Sequence, residues 1–282
     1  MAESPPSITD KRRTFRRLHE SGCFVIPNPW DVGSTRYLQG LGFKALATTS
    51  SGFAWSQGRR DGAVARETAL AHMRDIVAAT DLPVNADFEN GFALDAAGVA
   101  ESVRLAVATG VAGLSIEDST GNAAQPLFDL DTAVERIGAA RKAIDLAGGD
   151  TLLVGRAECF LVGRPDLAET ITRLKAYAQA GADCLYAPGI RTREQILAVV
   201  AGVAPKPVNL LIGWPSELTL QDVAALGVRR VSVGGALARS AWGGFIRAAK
   251  LIAEQGKFDG FSGAAPGTEL DSFFGGDMKR RN

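Results

Sequence analysis

The stretch PVNADFENGFALDAAGVAESVRLAVATGVAGLSIE, residues 83–117, decides how the rest of the chain is read. It opens on a short apolar run (Pro83 to Asp87) and passes through a polar, glycine-bearing segment. A helical pattern follows from Ala96 to Thr109, then a turn at TGVAG, and a second apolar run from Gly113 to Glu117. Strand, helix and strand in that order, with glycine stopping the helix, are the signature of a βαβ unit. Working outward, the same cycle recurs on both sides. Similar runs stand at FVIP (Phe24 to Pro27), ALATT (Ala45 to Thr49), LLVGRA (Leu152 to Ala157), CLYAP (Cys184 to Pro188), PVNLLI (Pro207 to Ile212) and RVSV (Arg230 to Val233), eight in all. Helical patterns fill residues 131–146, 166–180, 192–203 and 220–226, with Asp131 as a start signal before TAVERI and Thr192 as a capping residue. Eight cycles in roughly 250 residues fit a (β/α)8 TIM-type barrel. The rival, a doubly wound open sheet, wants a glycine fingerprint after its first strand, where this chain has Pro27-Asn28-Pro29-Trp30-Asp31.

Residues 1–282 are therefore expected to form one domain: an extra N-terminal helix within 1–22, a barrel core over 23–239, and a C-terminal helix and tail over 240–282. The N-terminal helix carries Phe15 and Leu18 on one side, and Ser240 is the expected cap of the C-terminal helix. The tail holds Phe258, Phe261, Phe273 and Phe274, which predicts that it packs on the barrel or on a neighbouring subunit. The 31 basic and 31 acidic side chains cancel, so no net field draws the chain to nucleic acid or an anionic membrane. No apolar run is long enough to span a bilayer, and the opening MAESPPSITDKRR lacks the apolar core of a secretory signal, which predicts a cytoplasmic protein. The three cysteines, widely spaced, suggest neither a disulfide framework nor a zinc knuckle and are expected reduced and buried.

In a barrel of this type the active site lies at the carboxyl ends of the strands. Those ends read Asn28, Trp30 and Asp31; Thr48 to Gly52; Asn85, Asp87 and Glu89; Glu117 and Asp118; Arg156 and Glu158; Tyr186; Asn209 and Gly213; Ser232 and Gly234. Oxygen groups dominate, and His19 and His72 fall away from every strand end, so histidine catalysis is not expected. Asn85 and Asp87, two apart on a strand, share a face, and Glu117 ends the next strand. Carboxylates converging in this way repel one another unless a cation intervenes, and an oxygen set suits Mg²⁺ or Mn²⁺ better than zinc. The competing reading is that Asp87 caps a loop or pairs with Arg156. Thr48 to Gly52 offers hydroxyls and backbone N–H groups for a carboxylate or oxyanion, or is simply a turn. Arg156 is placed to grip a carboxylate in a two-pronged fork, with a salt bridge to Glu117 or Glu158 as the alternative. Cys159 has no base beside it and reads as packing.

Taken together, NPWDVGSTRYLQGLGFKALATTSSGFAWSQGRRDG, VNADFENGF, GLSIED, GRAECF and VSVGGALAR resemble the isocitrate lyase and phosphoenolpyruvate mutase superfamily, from about Phe15 to Phe258. The resemblance implies a modified barrel whose eighth helix is exchanged between subunits of a homodimer or homotetramer. It also implies Mg²⁺-dependent making or breaking of a C–C or P–C bond next to a 2-oxo acid. On that likeness, Ser51 and Gly52, with Phe53 beside them, belong to the loop that binds the oxo acid. Asp61 lies near the metal site, Asp87 and Glu117 hold the metal with Asn85, and Arg156 binds the carboxylate, with Asn122 and Asn209 completing the substrate contacts. Two departures narrow the activity. The Lys-Lys/Arg-Cys-Gly-His loop of the isocitrate lyases is replaced by EDSTGNAAQPLFDLD, which has no cysteine, lysine or histidine; only Asn122 remains of the mutase pair of lysine and asparagine. The usual Asp-x-Asp-x-Gly reads Asn85-Ala86-Asp87-Phe88-Glu89, and Glu89 is placed to restore the lost charge. The expectation is a Mg²⁺-dependent carbon-carbon lyase acting on a small 2-oxo acid through an enolate, with water, Tyr186 or a carboxylate such as Asp61 or Glu89 moving the proton. A phosphonopyruvate hydrolase or oxaloacetate decarboxylase is the alternative enzyme, and a non-catalytic 2-oxo acid binding protein is the alternative outside enzymes.

Overall fold

The computed structural model describes residues 5–281, with side chains for residues 5–279. Eight parallel strands form one sheet: β1 (Phe24–Ile26), β2 (Leu46–Ala47), β3 (Val84–Asp87), β4 (Gly113–Glu117), β5 (Leu152–Arg156), β6 (Cys184–Tyr186), β7 (Val208–Leu211) and β8 (Arg230–Ser232). Their order, β1-β8-β7-β6-β5-β4-β3-β2, is that of a barrel with its seam between β1 and β2. Asn28 closes the seam. Its Nδ2 donates to Thr48 O at 2.8 Å, and its Oδ1 accepts from the backbone N–H groups of Val233 and Gly234 at 2.9 Å each. The expected (β/α)8 barrel is the fold observed.

Around the strands lie α1 (Ile8–Leu18), α2 (Val32–Gly40), α3 (Ser50–Ser56), α4 (Arg66–Ala79), α5 (Ala96–Ala108), α6 (Leu130–Leu146), α7 (Leu167–Gln179), α8 (Arg193–Val203), α9 (Leu220–Ala225), α10 (Ala236–Gln255) and α11 (Gly267–Arg281). Most begin on an Asp or Thr whose side chain takes a free N–H of the first turn, worth about 1 kcal/mol each: Asp31, Asp95, Asp166, Thr192 and Thr219 all do so. One expected helix start and one expected cap are corrected. Asp129, not Asp131, caps α6, accepting from Thr132 N at 2.8 Å. Ser240 lies inside α10, its hydroxyl bonding back to Ala236 O at 2.9 Å, because Gly234 and Gly235 let the chain turn from β8 straight into the helix.

Alternation along each strand separates two cores. Val84, Ala86, Leu114, Ile116, Leu153, Leu185, Val208 and Val231 face outward onto the helices, while Phe24, Ile26, Ala45, Ala47, Leu152, Val154, Cys184 and Tyr186 fill the barrel. From below, α1 plugs the barrel with fully buried Phe15, which lies so close to Gly113 that a Cβ there would stand 2.7 Å from the ring. Arg12 ties the plug down, donating to Val111 O at 3.1 Å and Val107 O at 2.8 Å and pairing with Asp150 at 3.1 Å.

The tail meets its expectation in part. In α11, Phe273 packs 4.7 Å from the Tyr37 ring on α2, with Phe274 edge-on to it. Phe258 and Phe261, by contrast, stay 65% and 53% exposed, beside an α10 face that also exposes Trp242, Phe245 and Ile246. Among the described residues no helix is long and apolar enough to cross a membrane. All three cysteines are free; Cys159 and Cys184 are buried as expected, whereas Cys23 is only half-buried.

Candidate active site

At the carboxyl ends of the strands the barrel opens into a cavity of about 180 Å³ that descends between the strands to Arg230. Its centre is Arg156 at the end of β5. One nitrogen, Nη1, reaches Asp87 on β3 at 3.1 Å and Glu117 on β4 at 3.2 Å, while Nε donates to Glu158 just beyond β5. The guanidinium also lies 5.2 Å above the Tyr186 ring on β6. Burial alone would weaken this cation, but Glu158, Glu117 and the other anions hold its pKa well above the ordinary arginine value.

Asp87 is fixed from two further sides. Its Oδ2 accepts from Ser50 N at 3.0 Å, and its own N–H donates to Thr48 Oγ1 at 2.9 Å. Both partners flank the hydroxyl-rich bend after β2, which is the first turn of a short helix: Thr49 caps α3 through Gly52 N at 3.3 Å. Gly52 is needed for packing, since a Cβ would stand 2.7 Å from Thr49 Cγ2 and 3.1 Å from Trp30 Cβ. The loop after β3 is clamped from outside by Arg136 of α6, which donates to Ala93 O at 2.7 Å and lies 4.1 Å over the Phe128 ring. Within that loop Glu89 adopts φ +48°, a left-handed conformation unusual for a residue with a side chain.

Acidic groups outnumber bases here, and their titration shows it. Burial, with Glu158 and Asp87 adding to it against the pull of Arg156, drives Glu117 well above the usual carboxylate range. Burial raises Glu158 as well. Burial followed by Asp87 and Asp61 lifts Glu89 to about 7, and burial followed by Asp87 raises Asp61 on the rim. Burial also pushes the Tyr186 hydroxyl up to about 12, so it keeps its proton at neutral pH.

Most of the residues expected from the sequence meet in this one cavity: Ser51, Asp61, Asn85, Asp87, Arg156, Tyr186 and Asn209 line it, and Glu117 joins through Arg156. Others stand elsewhere. The Phe53 ring turns away and stacks on His72 at 3.8 Å, and burial holds that histidine down at about 4, neutral at working pH. Asn122 sits on the exposed loop after β4, its Oδ1 accepting from Ala124 N at 3.0 Å, and faces a separate surface hollow. Asn85 turns its Oδ1 toward Arg230 on β8, 3.3 Å away. Asp118, one residue past Glu117, points out of the barrel to Tyr177 at 2.6 Å and Arg173 at 3.2 Å, where it serves packing.

Among the described residues no three His, Cys, Asp or Glu side chains gather as a metal cluster. The pair Asp87 and Glu117 nevertheless fits Mg²⁺, an ion that keeps several waters and needs only one or two protein carboxylates. Burial first, and then the neighbouring carboxylates Glu158, Asp87 and Glu89, disfavour a charged Glu117, and a cation beside it relieves both. Strand-end reasoning gave Arg230 no role, because it opens its strand instead of closing it. The available signal was its place two residues before Ser232, on the inward face.

The family model described as phosphoenolpyruvate phosphomutase matches residues 15–253. A crystal structure from Burkholderia cenocepacia J2315 is 48% identical, superposes with a TM-score of 0.92, and covers 95% of this chain and 97% of that one. The oxaloacetate decarboxylase of Bradyrhizobium sp. (strain ORS 278) is 32% identical over 231 residues, 79% of this chain and 77% of that protein. Oxaloacetate acetylhydrolase in complex with the product oxalate is 25% identical with a TM-score of 0.85, covering 98% of both chains.

Proposed function

We propose that this chain, which belongs to the phosphoenolpyruvate phosphomutase family, is a Mg²⁺-dependent carbon-carbon lyase that decarboxylates or otherwise cleaves a small 2-oxo acid. The observation that carries the proposal is Arg156, buried among Asp87, Glu117 and Glu158 in a cavity whose lining, among the described residues, has no thiol, lysine or imidazole. Cleavage of a hydroxy acid needs a base to take the hydroxyl proton. Decarboxylation of an oxo acid does not; it asks only for stabilisation of the developing enolate and a proton for it afterwards. That smaller demand matches the residues present, and it agrees with the relatives named oxaloacetate decarboxylase.

Asp87 and Glu117 are the residues that would hold the cation, while Asn85 turns its Oδ1 away from them to Arg230. When bound there, a divalent cation supplies positive charge against the enolate oxygen, a contribution of several kcal/mol. Arg156 Nη2, which makes no hydrogen bond to the described residues, is the group for the substrate carboxylate, and Ser51 orients the oxo group from α3. Tyr186, protonated up to about pH 12, returns the proton to carbon. Asp61, on the rim, exchanges protons with solvent.

The test is release of pyruvate, glyoxylate or phosphate from a panel of 2-oxo acids and hydroxy-dicarboxylates with Mg²⁺. Oxaloacetate is expected to yield pyruvate and carbon dioxide, with excess chelator stopping the reaction. Asp87→Ala should lose metal-dependent ligand binding while keeping its circular dichroism. Full activity in chelator would overturn the metal's role, and binding without turnover across the panel would favour a 2-oxo acid binding protein.

A further inference from the structure

The lower end of the cavity carries a second buried guanidinium. Arg230, 3% exposed, points into the barrel from the start of β8 and lines the same cavity as Arg156. Its Nε donates to Asn209 Oδ1 at 2.8 Å, and its Nη1 lies 3.3 Å from Asn85 Oδ1 and 3.4 Å from His19 Nε2. All three partners are neutral. Burial and the neighbouring Arg230 hold His19 down at about 3, and with its Nδ1 2.8 Å from Phe15 O, which can only accept, its Nε2 presents a lone pair to the arginine. Among the described residues no carboxylate comes within 4.0 Å of Arg230, and its Nη2 makes no hydrogen bond to them.

Beyond these dipoles Arg230 has the Phe15 ring, 6.0 Å from its guanidinium carbon; a buried ion without a counter-charge is expensive, and proteins that keep one hold a counter-charge beside it or use the ion to bind one. Burial pushes the guanidinium below its ordinary pKa, and an arginine side chain keeps its proton in proteins. Around it the wall is small and polar, with Ser115, Ser232 and Ala47, and α1 seals the space underneath. The cavity of about 180 Å³ that Arg230 shares with Arg156 has room for a small organic acid.

We propose that the floor of the barrel is a second carboxylate subsite, in which Arg230, flanked by Asn85 and Asn209, takes the carboxylate distal to the oxo group of a small dicarboxylic oxo acid whose oxo-acid end lies at Arg156. The assignment rests on reading the cavity as an oxo-acid site and narrows its substrate to dicarboxylates. It also separates the roles of the two arginines, with the upper one at the oxo-acid end and the lower one setting substrate class.

Calorimetric titration with (S)-malate and (S)-lactate in the presence of Mg²⁺ tests it, because the two acids differ by one terminal carboxylate and neither decarboxylates. Wild-type protein is expected to bind malate at least about tenfold more tightly than lactate. Arg230→Gln should abolish that preference while shifting lactate affinity less than about twofold. Asn85→Asp, which keeps Arg230 and satisfies its charge from within, should abolish it too, and it carries the test if the first variant fails to fold. Equal binding of the two acids by the wild type, or a preference that survives in both folded variants, would overturn the subsite. Stabilisation by formate equal to that by malate would assign the floor to a free small anion and overturn its role in substrate selection. If no oxo acid is turned over but the malate preference disappears in the variants, the subsite stands and the lyase reading falls; if product forms while malate and lactate bind alike, the subsite falls alone.

Discussion

Arg156 and Arg230 are both buried in one barrel, and their company differs completely. The upper guanidinium touches three carboxylates; the lower one touches two amides and a neutral imidazole. At the mouth the anions exceed the cation, so the site is short of positive charge and suits a metal ion. On the floor the cation exceeds the anions, so the site is short of negative charge and suits a substrate carboxylate. The cavity thus sorts a ligand by charge along its length, and the difference comes from which residue faces each arginine on β3: Asp87 above, Asn85 below.

The largest effect should come from removing the upper cation. Arg156→Met leaves Glu117 and Glu158 buried without their partner, and loss of one member of a buried ion pair costs about 3–5 kcal/mol. Urea unfolding should show a loss of that size, and turnover should fall at least about a hundredfold. Next in size, Asn85→Asp makes the floor resemble the mouth. The added carboxylate opposite Arg230 should stabilise the unliganded protein by about 1–2 kcal/mol, read as a melting temperature a few degrees higher. An unchanged or lower value would mean that the three neutral partners already satisfy Arg230.

A smaller effect concerns pH. Burial, then Asp87 and Asp61, lifts Glu89 from its ordinary 4.5 to about 7, so the folded protein binds that proton more tightly than the unfolded chain does. The sign follows: its contribution to stability is full below about 4.5 and is lost as pH rises through about 7. Urea midpoints measured in chelator should therefore fall between pH 5 and 8 in the wild type and fall less steeply in Glu89→Gln, with equal slopes counting against the charge crowding described for the mouth. The smallest effect is expected from Cys159→Ser. Its thiol is buried away from the cavity, so turnover should stay within a few fold of the parent. A loss of orders of magnitude in the folded variant would place thiol chemistry after β5.

The barrel could be read from the sequence because parallel strands are buried on both faces and stand out as unbroken apolar runs, so eight runs became eight strands. The starts of α6 and α10 were harder, since several polar residues compete for each cap and geometry picks the one that reaches a free N–H. The hydroxyl-rich α3 looked like a turn because Thr-Thr-Ser-Ser-Gly favours caps and turns equally. At the site, alternation placed Asp87, Glu117 and Arg156 correctly, as each is the last inward residue of its strand. It could not orient Phe53, whose ring found His72, or Asn122, whose amide is spent inside its own loop. Arg230 escaped because the rule that functional groups cluster at strand ends ignores the layer beneath them.

The Phe15 plug has a kinetic consequence. With α1 packed under the floor, a ligand that comes in from the mouth reaches Arg230 first-in and leaves it last-out. Reaction products would therefore depart in a fixed sequence, the fragment near Arg156 before the fragment held on the floor. A non-reacting dicarboxylate that reaches the floor would then exclude the whole substrate competitively, and the helix that completes the barrel's hydrophobic interior would also set the order of release.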